Sequence, residues 1–361
     1  MKHNLSRRVF GLLLATSVAP VLAHHSVAAN FDSGKSVEIR GVVVDFKLRS
    51  PHSSMVVDGI GYIDGVALSS EPERWEIESS ALPGLRQRGI DADTFKPGDA
   101  IVVVGSPSRD PDLRRANSSD FTAASGESFR PVGQFAAPTA GAAPPAGAAG
   151  ARLVEGRWTP PFQPNGERSA LPLNDAGWDA WNNYDQTLSP ANTCEKMSIP
   201  VIFNAPGYFV DIRFGDDNVV IRNQAYDIVR TVPLDGSRAP ADPEGRFGMI
   251  SGRIEGDTLV VESDSYPASR WGLGAATQVN GGGADVPSSA QKTLQERFST
   301  DDDGLTLVYE YTLFDPVYMA EPYSARIEMP RVSDEIPMYP YDCDVDAASM
   351  FSRAAGQSLL E

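Results

Sequence analysis

The residues best suited to chemistry lie at 23–32, Ala-His-His-Ser-Val-Ala-Ala-Asn-Phe-Asp, where His24 and His25 stand side by side. The chain holds only four histidines; His52 follows soon after, and His3 lies near the start. If the mature chain begins at His24, that residue supplies two nitrogens, its α-amine and its ring. The amine titrates near about 7.7–8.0, so it can be a neutral donor at neutral pH. A third nitrogen from His25 or His52 completes a T-shaped set, and tetragonal nitrogen coordination suits Cu(II) best, with Ni(II) behind. Cleavage one residue earlier, after Leu22, would start the chain Ala23-His24-His25. His25, third from the terminus, then forms a square-planar copper site with the amine and two backbone nitrogens. Both outcomes name copper as the cofactor and His24, His25 and His52 as its candidate ligands.

Such a site needs a freed amine, and the sequence provides for one. Residues 1–23 read as an export signal: basic Lys2, Arg7 and Arg8, an apolar run from Val9 to Leu22, and small-residue cleavage positions at Val21 and Ala23. Ser6-Arg7-Arg8-Val9-Phe10 also matches the start of a twin-arginine signal. The expected location is the periplasm. No segment reaches the roughly 18 apolar residues of a membrane span.

Composition narrows the partners. The net charge is −17, and removing the three basic residues of the signal takes it to −20. Such a surface repels phosphate backbones, which excludes nucleic acid as a partner. Only two cysteines are present, Cys194 and Cys343. In an oxidising compartment the pair reads as a disulfide, with about 4–5 kcal/mol of stabilisation in the chain-entropy model.

The elements that would position these groups are mainly β. Residues 136–150, rich in Ala, Pro and Gly, read as a low-complexity linker, with the polar stretch 108–135 as part of the same connection. That divides the mature chain into a first domain at 24–107, the connection at 108–150 and a second domain at 151–361. In the first, the apolar phase slips at Gly41 between Val37/Ile39 and Val42/Val44/Phe46/Leu48, which predicts a bulged, bent strand. Strands at 55–57 and 74–78, a short helix at 81–88 ending at Gly89, and a closing strand at 100–105 complete an OB-like barrel. In the second domain, Gly215-Asp216-Asp217-Asn218, Gly256-Asp257 and Asp303-Gly304 each adjoin alternating runs, which predicts a hairpin meander closing into a larger antiparallel barrel or curved sheet.

The first domain resembles an uncharacterised family of exported bacterial proteins. The residues that carry this are His24-His25-Ser26, Phe31-Asp32, Gly41, Pro51-His52, Trp75-x-Ile77-Glu78, Leu82 and Lys96-Pro97-Gly98-Asp99. Residues 153–345 resemble a second uncharacterised exported family through Gly156-Arg157-Trp158, Cys194, Asp235-Gly236-Ser237-Arg238, 252–261, Glu296-Arg297-Phe298, Asp315-Pro316 and Tyr341-x-Cys343. That family usually carries His and Trp where this chain has Met249 and Ile254, so no site rests on those positions here. Gly156-Arg157-Trp158 ahead of a meander is also similar to the opening of a lipocalin. The nitrogen set at His24 resembles the histidine brace of copper monooxygenases and of some periplasmic copper carriers.

Three functions follow from these residues: a non-catalytic copper-binding protein, a copper-dependent oxidase using the same nitrogens, and a metal-free module whose second domain takes a small molecule or a protein partner. Against the metal stands a plainer reading, with His24 and His25 at a frayed terminus and His52 hydrogen-bonded to Asp32 or Asp58. Reach is the geometric constraint: strand 37–48 spans roughly 40 Å, which the residues from His24 to Val37 must cover by running back along it. In the second domain Glu255, Asp257, Glu262, Glu296 and Asp315 are the available acids. No histidine or serine elbow accompanies them. Gly256-Asp257 reads as a turn and Glu296-Arg297 as an exposed strand pair, while Trp158, Trp178, Trp181 and Tyr184 read as packing groups.

Overall fold

The computed structural model describes residues 30–130, 141–160, 170–184, 190–205, 207–275 and 285–349. The first part is a closed barrel. Its strands are β1 (Val37–Lys47), β2 (Ser53–Ile63), the short β3 (Val66–Ala67), β4 (Glu73–Ser79), β5 (Ala100–Pro107), β6 (Arg115–Ala123) and the short β7 (Ser128–Phe129). The order runs β1-β5-β6-β4-β2, and β2 pairs back onto β1, which closes the ring. All the ring pairings are antiparallel except β4 with β6, which is parallel. The helix α1 (Leu82–Arg86) links β4 to β5. This is the OB-like arrangement the sequence predicts. Val37, Ile39, Met55, Trp75, Val103 and Phe121 fill the interior. Each such large side chain contributes about 1.5–3 kcal/mol on burial.

Two details of this barrel differ from the sequence reading. The bulge of β1 falls between Val43 and Asp45 rather than at Gly41. Val43 therefore stays in the core while Val42 is 44% exposed. Gly41 has another duty: it faces Gly59, and a Cβ there would come within 2.4 Å of Asp58 O. The two glycines let the strands close tightly where the barrel bends. The second difference is β6. Its residues fall in the stretch read as connection, yet they complete the ring. Ala116, Ser118 and Phe121 face inward and are buried, and the polar residues between them disguise the strand.

The larger part is a meander of β8 (Gly156–Trp158), β9 (Val210–Phe214), β10 (Asn218–Asn223), β11 (Ile228–Pro233), β12 (Ala239–Pro240), β13 (Met249–Glu255) and β14 (Thr258–Asp264). A separate ribbon, β15 (Ser269–Ala275) with β16 (Asp285–Ser288), precedes β17 (Thr293–Thr300), β18 (Thr306–Phe314) and β19 (Tyr323–Val332). The sheet order is β11-β10-β9-β8-β19-β18-β17-β14-β13-β12, antiparallel throughout. Its two ends meet at one hydrogen bond, Thr231 N to Ala241 O at 2.9 Å, so the barrel is nearly closed. The predicted hairpins at 215–218, 256–257 and 303–304 all form.

Cys194 and Cys343 are bonded, with Cα atoms 5.9 Å apart. The segment at Cys343 also joins the two barrels. It forms a parallel bridge with Ser50, Asp344 N donates to Ser50 O at 2.7 Å, and Arg49 reaches the Asp344 carboxylate at 3.4 Å. Gln87 donates to Gln224 at 3.3 Å beside this contact, and Ala81 is part of the larger barrel's core.

Candidate metal centre

The Ser50-Pro51-His52 connection between β1 and β2 places the one histidine among the described residues. Ser53, the next residue, is the partner of Ser79 across β2–β4, which sets His52 beside Glu78. His52 Nδ1 lies 3.0 Å from Glu78 Oε1, and the imidazole is one-third exposed while Glu78 is only 4% exposed. The contact with Glu78 through Nδ1 fixes the orientation of the ring.

The burial of Glu78 is unexpected from its phase. Trp75 and Ile77 point into the core, so Glu78 shares the outer face with Glu76. Its Oε2 is buried and has no hydrogen-bond partner. Nearby in the chain and sheet, Arg49 donates to Ser54 Oγ and reaches Asp344 while its Nε is buried without a partner, and Arg115 pairs with Glu76 at 2.7 Å. Ser118 Oγ donates to the Glu78 carbonyl at 2.9 Å and fixes the backbone beneath the carboxylate. A buried carboxylate is costly unless it is hydrogen-bonded or paired, and His52 is the partner that Glu78 has.

The partners foreseen for His52 were Asp32 and Asp58, and neither serves. Asp32 is held below the usual carboxylate range by the Gly34 amide and by Lys35, and Asp58 is held low by its two bonds to Arg74. Register explains the substitution: β2 brings Ser53 and Ser54 against Ser79 and Glu78, while Asp58 lies further along, opposite Arg74. His24 and His25 lie outside the described residues. Among the described residues no three His, Cys, Asp or Glu side chains gather as a metal site.

Barrel closure shortens the reach that the sequence made difficult. Arg109 N donates to Asn30 O, Ser108 N donates to Arg115 O, and Arg115 pairs with Glu76 on β4, two residues before Glu78. At about 4.8 Å per strand step and 3.4 Å per residue, Asn30 lies about 25 Å from Glu78 along this path. The residues from His24 to Asn30 span up to about 20 Å when extended. The route runs around the barrel, across β5, β6 and β4, and not back along β1.

The larger barrel contains a second set of buried charges that sequence reasoning missed. Glu296, read as exposed, is fully buried. Arg230 Nη1 and Nη2 grip it at 2.6 and 3.0 Å, and Tyr309 Oη adds a third bond at 3.0 Å. The signal was its parity: Glu296 shares the inward phase of Leu294 and Phe298. Lys292 is also buried, donating to Ser198 Oγ at 2.7 Å and Ile199 O at 2.9 Å, with its ammonium 4.1 Å from the Tyr266 ring centroid. Burial pushes its pKa down to about 7. Asp315 caps a turn by accepting from Ser289 N and Val317 N.

Around these charges the interior is filled by Trp158, Phe203, Phe209, Phe298 and Tyr309, with Phe203 stacked on Tyr309 at 4.1 Å. Trp158 is therefore a packing group as expected, while Trp178 lies half-exposed against Trp181. Room for a small molecule is found on the outer face, in a shallow hollow between Gln295, Arg297, Glu310, Thr312, Ser324 and Arg326.

Residues 12–116 match a family of unknown function (DUF6152), so an uncharacterised domain spans the first barrel into β6. No curated protein matches the chain, and no solved structure does. No described helix is long and apolar enough to cross a membrane.

Proposed function

We propose that this is an exported, non-catalytic copper-binding protein in which His24, His25 and His52 supply the nitrogen ligands, with the uncharacterised domain fused to a second exported β domain. The observation that carries the reading is the His52–Glu78 pair. Metal-ligating histidines characteristically donate their second nitrogen to a carboxylate, which fixes the ring and raises its basicity. Here the carboxylate is buried and the pair sits at 3.0 Å. When bound, copper would be gripped by neutral nitrogens. The protein's part is to hold the His52 ring still.

The test begins with mass spectrometry of the exported protein, which is expected to start at His24 or Ala23. Copper titration of the wild type should then give one tight Cu(II) per chain. His24→Ala and His52→Ala should each weaken it by about tenfold or more. An unprocessed terminus, or equal affinity in all three proteins, would remove the proposal. Oxygen-dependent consumption of an added reductant by the copper-loaded protein would replace the carrier with the oxidase.

A further inference from the structure

We infer that the outer face of the larger barrel carries a groove for a neutral oligosaccharide, with Ser251, Gln295, Thr312 and Ser324 as its floor. The site lies on the second barrel and does not rest on the copper reading.

Strand register builds the groove. Ser251 faces Glu262, Glu262 faces Gln295, Gln295 faces Thr312 and Thr312 faces Ser324, so they stand in one row across β13, β14, β17, β18 and β19. Their chain neighbours Val261, Leu294, Glu296, Tyr311 and Leu313 are buried, which puts the row on the outside. The strand steps give it a length of about 19 Å. Ser251, Thr312 and Ser324 are short, so the row lies below the side chains that flank it. One flank is the adjacent outward row, Arg253, Arg297, Glu310 and Arg326. The other is formed by Phe314 and Pro322 with Arg238 and Asp264. Two hollows lie along the row, and both are lined by Gln295 and Thr312, which makes them continuous.

The charges on the flanks decide what the groove can take. Arg253 pairs with Glu255 at 2.7 Å and with Glu262 at 3.1 Å, and Arg297 pairs with Glu255 at 3.0 Å. Arg326 pairs with Glu328 at 2.7 Å and with Glu310 at 3.6 Å, and Arg238 pairs with Asp264. Every arginine of the groove is therefore balanced by a carboxylate, in a chain whose net charge is −17. An anionic ligand would have to displace those carboxylates, and a cationic one those arginines. An extended peptide adds to an open sheet edge or fills apolar side pockets. Here β14, β17 and β18 are each paired on both sides, and the floor is polar. A wholly apolar ligand has no floor to lie on for the same reason.

What remains is a neutral chain rich in hydroxyl groups. Serine, threonine and glutamine both donate and accept, as sugar hydroxyls do. The planar guanidinium and carboxylate groups of the flank match pairs of adjacent hydroxyls. Phe314, on the outward phase of β18 opposite Thr293 and only partly buried, offers a ring for the C–H face of a sugar. The length suits several linked sugars better than one.

The experiment titrates the full chain with neutral oligomers of glucose and of N-acetylglucosamine, by calorimetry. Glucose alone, a uronic-acid oligomer and a pool of unstructured peptides serve as comparisons. A neutral oligomer should bind more tightly than its single sugar and than either comparison polymer. Gln295→Leu and Thr312→Val keep the shape of the floor and remove its polar groups, so each should weaken binding by roughly three- to tenfold. Equal affinity in wild type and both variants would overturn the inference. So would binding of the peptides or the uronic-acid oligomer in preference to the neutral ones, or no binding of any neutral oligomer. Should the variants fail to fold, amide NMR of the wild type titrated with the same oligomers decides: shifts at Gln295 and Thr312 support the groove, and shifts confined to other strands overturn it.

Discussion

The two barrels bury carboxylates in opposite ways. In the larger barrel Glu296 faces inward and is saturated by Arg230 and Tyr309. In the smaller one Glu78 faces outward, is covered, and keeps one oxygen without a donor. A saturated buried network holds a core in one arrangement. A half-satisfied one costs stability, and chains keep such features where a ligand makes up the difference. Buried side-chain atoms without a partner occur in both barrels, among them Glu78 Oε2 in the first and Arg230 Nε and Ser288 Oγ in the second.

Breaking the Arg230–Glu296–Tyr309 network should give the largest effect. Arg230→Met leaves Glu296 buried against Tyr309 alone, and such half-broken pairs cost about 3–5 kcal/mol. Denaturant unfolding should show that loss, while the double variant Arg230→Met/Glu296→Leu should recover most of it. Copper titration should be unchanged in both. A loss of copper binding on removing Arg230 would end the division of labour between the barrels.

Next comes the disulfide. Opening the loop between Cys194 and Cys343 with Cys194→Ser should lower stability by about 2–5 kcal/mol. The effect should also reach the first barrel, because Asp344 N donates to Ser50 O two residues from His52. Hydrogen exchange of the Asp344 amide should accelerate in the variant. An unchanged rate would mean the seam between the barrels holds without the bridge.

Lys292 sharpens the comparison through pH. Its pKa is about 7 in the folded chain, against 10.5 ordinarily, because burial penalises the ammonium. Between those values the unfolded chain binds the proton and the folded chain does not, so unfolding takes up a proton and stability rises with pH. The contribution is at most about 1.4 kcal/mol per pH unit. Wild type should therefore gain stability relative to Lys292→Met from pH 7 to 9, as read by denaturant midpoints. Parallel profiles would place a neutral or fully compensated group there.

How legible these features were follows from where each one's neighbours lie in the chain. The hairpins of the larger barrel are local, so turn residues and alternation revealed them. Glu296 was also legible in principle, since its parity with Leu294 and Phe298 marks it as inward. It was misread because a charged residue beside Arg297 suggests a solvated pair. The strand β6 hid because closing a small barrel needs only Ala116, Ser118 and Phe121 inside, too few apolar residues to stand out. Glu78 was not legible as a buried group at all. Its cover depends on the Ser50–His52 connection, and that connection is held by the segment at Cys343, nearly the whole chain away. His52 stood out by rarity, but its partner could be found only from the register of β2 on β4.

The smallest expected effect separates the two kinds of burial most sharply. A structural carboxylate loses stability when neutralised; a carboxylate kept for a ligand does not. Glu78→Gln retains an acceptor for His52 Nδ1 and removes the carboxylate. In the copper-free protein its stability should therefore lie within about 1 kcal/mol of wild type, on the stabilised side. With copper added the order should reverse, because the wild type gains more from binding the ion more tightly. Thermal unfolding of both proteins with and without one equivalent of Cu(II) reads this crossing directly. If Glu78→Gln is clearly less stable in both conditions, Glu78 belongs with Glu296 as a structural group, and the contrast between the barrels disappears.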